Sequence, residues 1–447
     1  MTMDHWLIRD ARVVNEGRTF SADVLLRNGR IEQVAENRIG TAPGARELDA
    51  KGRWLLPGLI DDQVHFREPG LTHKDDIAHG SAAAAAGGIT SYMEMPNTDP
   101  QSLTQELLAQ KYALGAASSV VNYSFYMGVG PRNLDEVLRT DPRTVCGLKA
   151  FLGSSTGNMV IEDEEVLEEL FRRAHLLLAI HSESDPIIRR NLAEARARYG
   201  EDIPLAEHPL IRSAEACYAC TEASVQRAKR HGTRLHVLHI STARELELFE
   251  RGPLQGKRIT AEACVHHLWF TDADYATQGA RIKWNPAVKT AADREAVRRA
   301  VNEDRIDVLA TDHAPHTWEE KQRPYERCPS GAPLVQHALV ALIELVHLGV
   351  FSIERVVEKY CHAPARMFDI ADRGYVREGH HADLVLVDPD APWTVGPENL
   401  LYKCGWSPFD GQRFRARVLN TWVNGRCVYA DGKVDTTARG ERLLFAR

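Results

Sequence analysis

The sequence predicts an α/β chain: a (β/α)8 TIM-type barrel with a small β-sandwich domain formed by both chain termini. Three observations predict it. Eight short apolar runs alternate with helical stretches through the middle of the chain, and eight strand–helix units in about 310 residues is the arithmetic of a closed barrel. Both ends of the chain alternate apolar and polar residues between Asn-Gly, Lys-Gly and Asp-Gly turns, the pattern of half-buried strands in hairpins. Nearly every central run ends in residues that bind metals or handle protons, as expected where the C-terminal ends of barrel strands form one rim.

The elements follow in order. The N-terminal strands are "HWLIRDARVVN", "ADVLLRNGRIEQVAE" and "RELDAKGRWLLPG". The eight barrel runs are "PGLIDDQVHF", "GITSYMEMPN", "VNYSFYMGVG", "CGLKAFLGS", "LLLAIHSES", "RLHVLHIST", "RITAEACVHHL" and "IDVLATDHAPH". A doubly wound open sheet is the competing arrangement, and the lack of a Gly-rich dinucleotide fingerprint after any run weakens it. The chain closes on "ADLVLVDPDAPWTV" and "RFRARVLNTWVNGRCVYADGKV". The expected division is residues 1–56 with 371–447 as a composite β-sandwich and residues 57–370 as the barrel.

Bulk properties narrow the function. Of 447 residues, 44% are apolar, enough for a sizeable core, and the net charge of -7 argues against a nucleic-acid or anionic-membrane partner. The most apolar late segment, "LVQHALVALIELVHLGVF", is interrupted by Gln336, Glu344, His337 and His347; it reads as a buried helix, not a membrane span. The eight cysteines are scattered, and the close pair Cys217 and Cys220 falls on a helical pattern with no second pair at zinc-ribbon spacing. Both thiols therefore read as core packing. Dispersed thiols and a charged start point to a reducing cytoplasm.

The rim residues carry the chemistry. Run one ends in His65 and Arg67, run two in Asn97, run five in His181, run six in His239, and run eight in Asp312, His313 and His316; Lys149 lies in run four. Taken singly, each has a plain structural reading: a hydrogen-bonded histidine, an N-cap at Asp312, a solvent-facing Lys149, a surface pair between Arg67 and Glu68. Joint placement at equivalent strand ends favours a shared site. Imidazole nitrogen with carboxylate oxygen suits zinc. Lys149 fits that set only in modified form, because an ammonium has no lone pair. A neutral lysine condensed with carbon dioxide is a carbamate, an anion able to bridge two metals, and burial favours the neutral amine.

The motifs "HFREPG", "MPNT", "GLKAFLGSSTG", "HSE", "LHIST", "KWNPAVK" and "ATDHAPHT" stand in order along the chain. They resemble the amidohydrolase superfamily, and within it the dihydroorotase family of cyclic amidohydrolases, over essentially the whole length. The resemblance implies that His65, Lys149 as a carbamate and Asp312 hold one zinc, that Lys149, His181 and His239 hold a second, and that a hydroxide bridges them. It implies that Arg67, Asn97 and His316 bind a substrate carboxylate, that Asn285 contacts a dihydropyrimidine ring, and that Asp312 acts as general acid and base. The implied reaction is the reversible cyclisation of N-carbamoyl-L-aspartate to (S)-dihydroorotate in pyrimidine biosynthesis, by a cytoplasmic homodimer acting on a small molecule. Allantoinase and hydantoinase or dihydropyrimidinase share the metal framework, and a non-catalytic partner of a transcarbamoylase is the reading from another class.

One position departs from the pattern. Family members carry two histidines in the first motif, and Gln63 stands where the first would be. A neutral amide oxygen is a weak zinc donor, so the first metal position is expected to be weakened, to use the Gln63 oxygen, or to be dispensable. The presence of all the other site residues favours an active enzyme. Three further expectations concern neighbours. His266 and His267 end run seven on opposite strand faces, one at most reaching the mouth, in a structural or supporting role. Asp61 or Asp62 supports a ligand histidine. "GSSTGNM" forms a turn that supports the carbamate, since it lacks the ending of a phosphate loop.

Overall fold

Strand-forming segments from both ends of the chain meet in one sheet in a computed structural model that describes residues 5–153, 159–161 and 163–447. Trp6–Asn15, Arg18–Arg27, Arg30–Ala35, Arg46–Asp49 and Trp54–Pro57 come from the N-terminal side, and Leu384–Asp388, Arg417–Val423, Arg426–Ala430 and Lys433–Val434 from the C-terminal side. The two sets join where Trp54–Pro57 pairs antiparallel with Leu384–Asp388. The hairpin turns Asn28-Gly29, Asn424-Gly425 and Asp431-Gly432 carry positive φ at both residues, the turn geometry that matches strand twist. Register shifts interrupt the ladder between Ile8 and Ala11, between Leu25 and Leu26, and between Leu386 and Val387, and bulges bend strands. The sheet curls accordingly. Two strands separate those of Trp6 and Trp422, yet their rings meet edge to face at 5.8 Å; a flat sheet would hold them about 14 Å apart. The enclosed face buries Ile8, Val24, Leu26, Leu55, Leu384 and Leu386, a sandwich core supplied by both termini.

The middle of the chain forms the barrel. Its strands are Leu59–Val64, Ile89–Glu94, Asn122–Phe125 (continuing as Met127–Gly128), Leu148–Phe151, Leu178–His181, Leu235–Val237, Ile259–Cys264 and Val308–Ala310. Each pairs parallel with its neighbour, in one three-stranded and one six-stranded ladder. The ladders do not run continuously round the ring. They meet within the third strand, and eighth meets first through a bridge between Val64 and His313, where His65 N donates to His313 O at 2.7 Å. That bridge places His65 beside Asp312 at the mouth. Strands buried on both faces read as mostly apolar runs without strict alternation, which is why the barrel segments stand out in the sequence.

Helices cover the ring. Asp76 caps Ile77–Ala86 by accepting from His79 N, and the alanine run lets this helix lie close to the first strand. A Cβ at Gly80 would stand 2.4 Å from the Phe66 ring. The late apolar segment holds the buried helix Ala338–His347, and among the described residues no helix is long and apolar enough to cross a membrane. His347 lies 3.0 Å from Pro389 O and His337 3.1 Å from Ser407 Oγ, ordinary packing roles. Cys217 and Cys220 sit on helix Ala214–His231, and all eight cysteines are free thiols.

The seventh strand corrects one expectation. It ends at Cys264, and His266 and His267 lie on the short helix Val265–Trp269. Strand alternation therefore does not apply to them. His266 stacks on Trp284 with centroids 4.1 Å apart, and His267 Nε2 is 3.2 Å from Pro286 O; both brace the mouth from behind.

Candidate active site

The first strand delivers Gln63 and His65 to the mouth, both buried. His65 Nδ1 lies 2.8 Å from Asn97 Oδ1. An amide oxygen only accepts, so Nδ1 carries the hydrogen and Nε2 turns its lone pair outward. Nε2 faces Asp312 Oδ1 at 3.3 Å. The fifth and sixth strands repeat this logic. His181 Nε2 is 3.1 Å from Glu183 Oε2, which leaves its Nδ1 facing His239 Nε2 at 3.0 Å. Burial opposes the charge on Glu183, but Arg212 and His181 outweigh it and hold the carboxyl down at about 2. Glu183 thus stands behind His181, where a carboxylate orients an imidazole.

Lys149 lies between these pairs, 1% exposed, with Nζ 4.6 Å from the Phe151 ring centroid. Burial pulls its pKa down to about 7, so a neutral amine is present at physiological pH. Burial also pushes the Asp312 carboxyl up to about 7, against the pull of Lys149. Arg67 is almost fully buried; its Nε donates to Pro315 O at 3.0 Å and its Nη2 lies 3.1 Å from His316 Nε2. Burial lowers its pKa only to about 10, and the guanidinium stays charged. His316 Nδ1 accepts from Lys74 Nζ at 3.1 Å. Asn285 Oδ1 is buried with no hydrogen-bond partner among the described residues. Arg67, His239 and Asp312 all hold positive φ, at 69°, 42° and 48°; such strain concentrates at functional sites.

His65, Arg67, Lys149, His181, His239, Asn285 and Asp312 line one cavity with about 20 Å³ of room, enough for one water-sized sphere. Asn97 and His316 stand directly behind it, against His65 and Arg67. Tetrahedral zinc with bonds near 2.05 Å places adjacent ligand atoms about 3.3 Å apart. The His65–Asp312 and His181–His239 pairs, at 3.3 and 3.0 Å, match that edge. The donor set therefore fits a divalent metal.

The amidohydrolase family pattern matches residues 54–428. The chain belongs to the amidohydrolase family. It is 36% identical over 410 residues to a dihydroorotase from Halobacterium salinarum, covering 91% of this chain and 92% of that one. It is 32% identical over 451 residues to an allantoinase from Solibacter usitatus, covering 99% and 97%. Its fold is similar to that of an L-hydantoinase (dihydropyrimidinase) from Arthrobacter aurescens, with a TM-score of 0.91 and 26% identity over 97% of each chain. The chain is thus a hydrolase.

Several neighbours differ from the sequence reading. Gln63 turns its amide nitrogen to Asp312 Oδ1 at 3.1 Å and its oxygen toward the Cys264 thiol at 3.8 Å; the oxygen is directed away from Asp312. Among the described residues, neither aspartate of the first motif is paired with His65, His181 or His239. Asp61 accepts from Gln63 N, Thr311 N and Tyr360 Oη, which ties the first strand to the eighth. Asp62 faces His236 in the bore. Arg67 pairs with no Glu68 carboxylate, which accepts instead from Ile77 N. His313 turns from the cavity, its Nε2 3.0 Å from Asp75 Oδ2 and its Nδ1 accepting from Leu334 N. Residues 154–158 of the "GSSTGNM" turn lie outside the described residues. The sequence reading missed Glu183 and Asp75. Glu183 carried a signal, standing two residues after His181 in an extended segment, where side chains share a face.

Proposed function

We propose that this hydrolase acts on cyclic amides and is a dihydroorotase, interconverting N-carbamoyl-L-aspartate and (S)-dihydroorotate. The observation that carries the reading is Arg67: a buried, charged guanidinium at the wall of a metal-fitting cavity. A fixed cation in that position suits a substrate with a carboxylate beside the scissile ring amide. Allantoin and hydantoins carry no carboxylate for it to hold.

The other residues take roles consistent with that anchor. His316, held by Lys74, stands behind Arg67, and the bond from Arg67 Nε to Pro315 O fixes the orientation of the guanidinium. Asn285, with an unpaired buried oxygen, hydrogen-bonds a ring N–H. His65 with Asp312, and His181 with His239, would hold zinc, with Lys149 as a carbamate contributing to the ligand set. Zinc bound there supplies a water acidified to a pKa of roughly 7 and polarises the scissile carbonyl. Asp312, a carboxylate on the cavity wall, carries the proton between the attacking water and the ring nitrogen. Gln63 holds Asp312 in place through its amide nitrogen. Residues 57–370 as the catalytic barrel, the composite terminal domain, a homodimer and a cytoplasmic setting complete the reading.

Allantoinase is the second reading, because an allantoinase matches over nearly the whole chain. Calorimetry with orotate and uracil separates the two. Orotate binding with uracil far weaker supports the carboxylate anchor; equal affinity for both rejects it.

A further inference from the structure

A second group of ligand-type side chains lies inside the barrel, below the mouth. Asp62 comes from the first strand, His236 from the sixth and Glu262 from the seventh, and all three are fully buried. His236 Nε2 is 3.3 Å from Asp62 Oδ2 and 3.8 Å from Glu262 Oε2, and the three ligand atoms lie within 4.8 Å of one another.

The hydrogen bonds around His236 fix its tautomer. Thr260 Oγ1 donates to Leu235 O at 3.3 Å. The same oxygen lies 2.8 Å from His236 Nδ1 and so accepts from it. A neutral imidazole held in this way turns its Nε2 lone pair onto two carboxylates. Three acceptors then converge without a donor, unless His236 is doubly protonated, a form that burial opposes and Asp62 and Glu262 favour. Asp62 Oδ1 and Oδ2, Glu262 Oε2 and His236 Nε2 all lack a hydrogen-bond partner among the described residues. Buried charges in proteins are paired or coordinate metals.

We propose that Asp62, His236 and Glu262 form a cation site in the barrel bore, separate from the mouth, for a divalent transition metal of the zinc class. Two carboxylates balance the charge of such an ion. One imidazole with two carboxylate oxygens suits zinc, manganese or iron and disfavours magnesium, which prefers oxygen and water. The site reaches the mouth through one residue. Glu262 Oε1 accepts the backbone N–H of His239 at 2.8 Å, so a cation on Oε2 pins the carboxylate that holds His239 in its left-handed conformation. The competing occupant is a second proton on His236, which would make an imidazolium between the two carboxylates.

The test uses the whole chain, stripped with a chelator and reloaded with zinc chloride alone. Anomalous density at the zinc edge is expected in the bore between Asp62, His236 and Glu262, in addition to density at the mouth. Plasma mass spectrometry of Asp62→Asn should show one zinc per chain fewer than the parent, with the mouth density retained. A bore without anomalous density overturns the proposal, whether or not the mouth is filled, and so does an unchanged zinc count in a folded Asp62→Asn. Nitrogen chemical shifts of a doubly protonated His236 in the zinc-loaded protein would identify the proton as occupant. If Asp62→Asn does not fold, the map of the parent protein decides alone.

Discussion

Replacing Arg67 with methionine keeps much of the side-chain volume and removes the cation from the mouth. The guanidinium is 2% exposed, so solvent will not take its place beside a bound carboxylate. Removing one partner of a buried, hydrogen-bonded charge pair costs roughly 2–5 kcal/mol. At about 3 kcal/mol, and 1.36 kcal/mol per factor of ten, the loss is about 150-fold in kcat/KM. The substitution also breaks the bond from Nε to Pro315 O, which loosens the mouth for any substrate. The assay therefore compares two rings, dihydroorotate and dihydrouracil, which differ in the carboxylate. The preference for dihydroorotate should collapse by about 100-fold, with dihydrouracil turnover held within about threefold. Equal losses on both rings would mean that Arg67 serves only to shape the mouth. An unchanged preference would place the carboxylate elsewhere.

Three further outcomes follow from the same geometry. Lys149→Ala should abolish zinc retention at the His181–His239 position, measured by elemental analysis after dialysis with bicarbonate; unchanged zinc content would exclude a carbamate bridge. Gln63→His should tighten zinc at the first position by more than the roughly 10–100-fold that a supporting residue is worth, read by competition with a chromogenic chelator; an unaltered affinity would show that the amide is already an adequate ligand. Gly80→Ala drives a Cβ against the Phe66 ring and should cost about 1–3 kcal/mol in a denaturant melt, an effect that an unshifted midpoint would contradict.

The barrel and its rim were legible because doubly buried strands leave mostly apolar runs, and because polar residues stand where those runs stop. His65, His181, His239 and Asp312 could each be placed by counting to a strand end, whereas Lys149 stood out as a lone cation inside run four. What stayed hidden depended on partners distant in the chain. The tail of run seven, "CVHHLWF", is apolar and aromatic and carries no Gly or Pro to mark a break, so the switch to helix at Val265 was invisible. Asp61 and Asp62 are adjacent and chemically alike, yet one clamps the eighth strand and the other faces the bore; strand twist and closure decide that. The orientation of the Gln63 amide is set by Asp312, 249 residues away in the chain. Asp75 lies on a loop with no periodic signal, and its contact with His313 exists only after closure.

The proposed function requires this mouth to open and close a carboxylate-bearing ring. Steady-state turnover of dihydroorotate, allantoin and hydantoin by the purified chain, loaded with zinc and bicarbonate, tests it most directly. Dihydroorotate should show the highest kcat/KM, with N-carbamoyl-L-aspartate cyclised in the reverse direction. Preference for allantoin or hydantoin, or no turnover of any of the three, would contradict it.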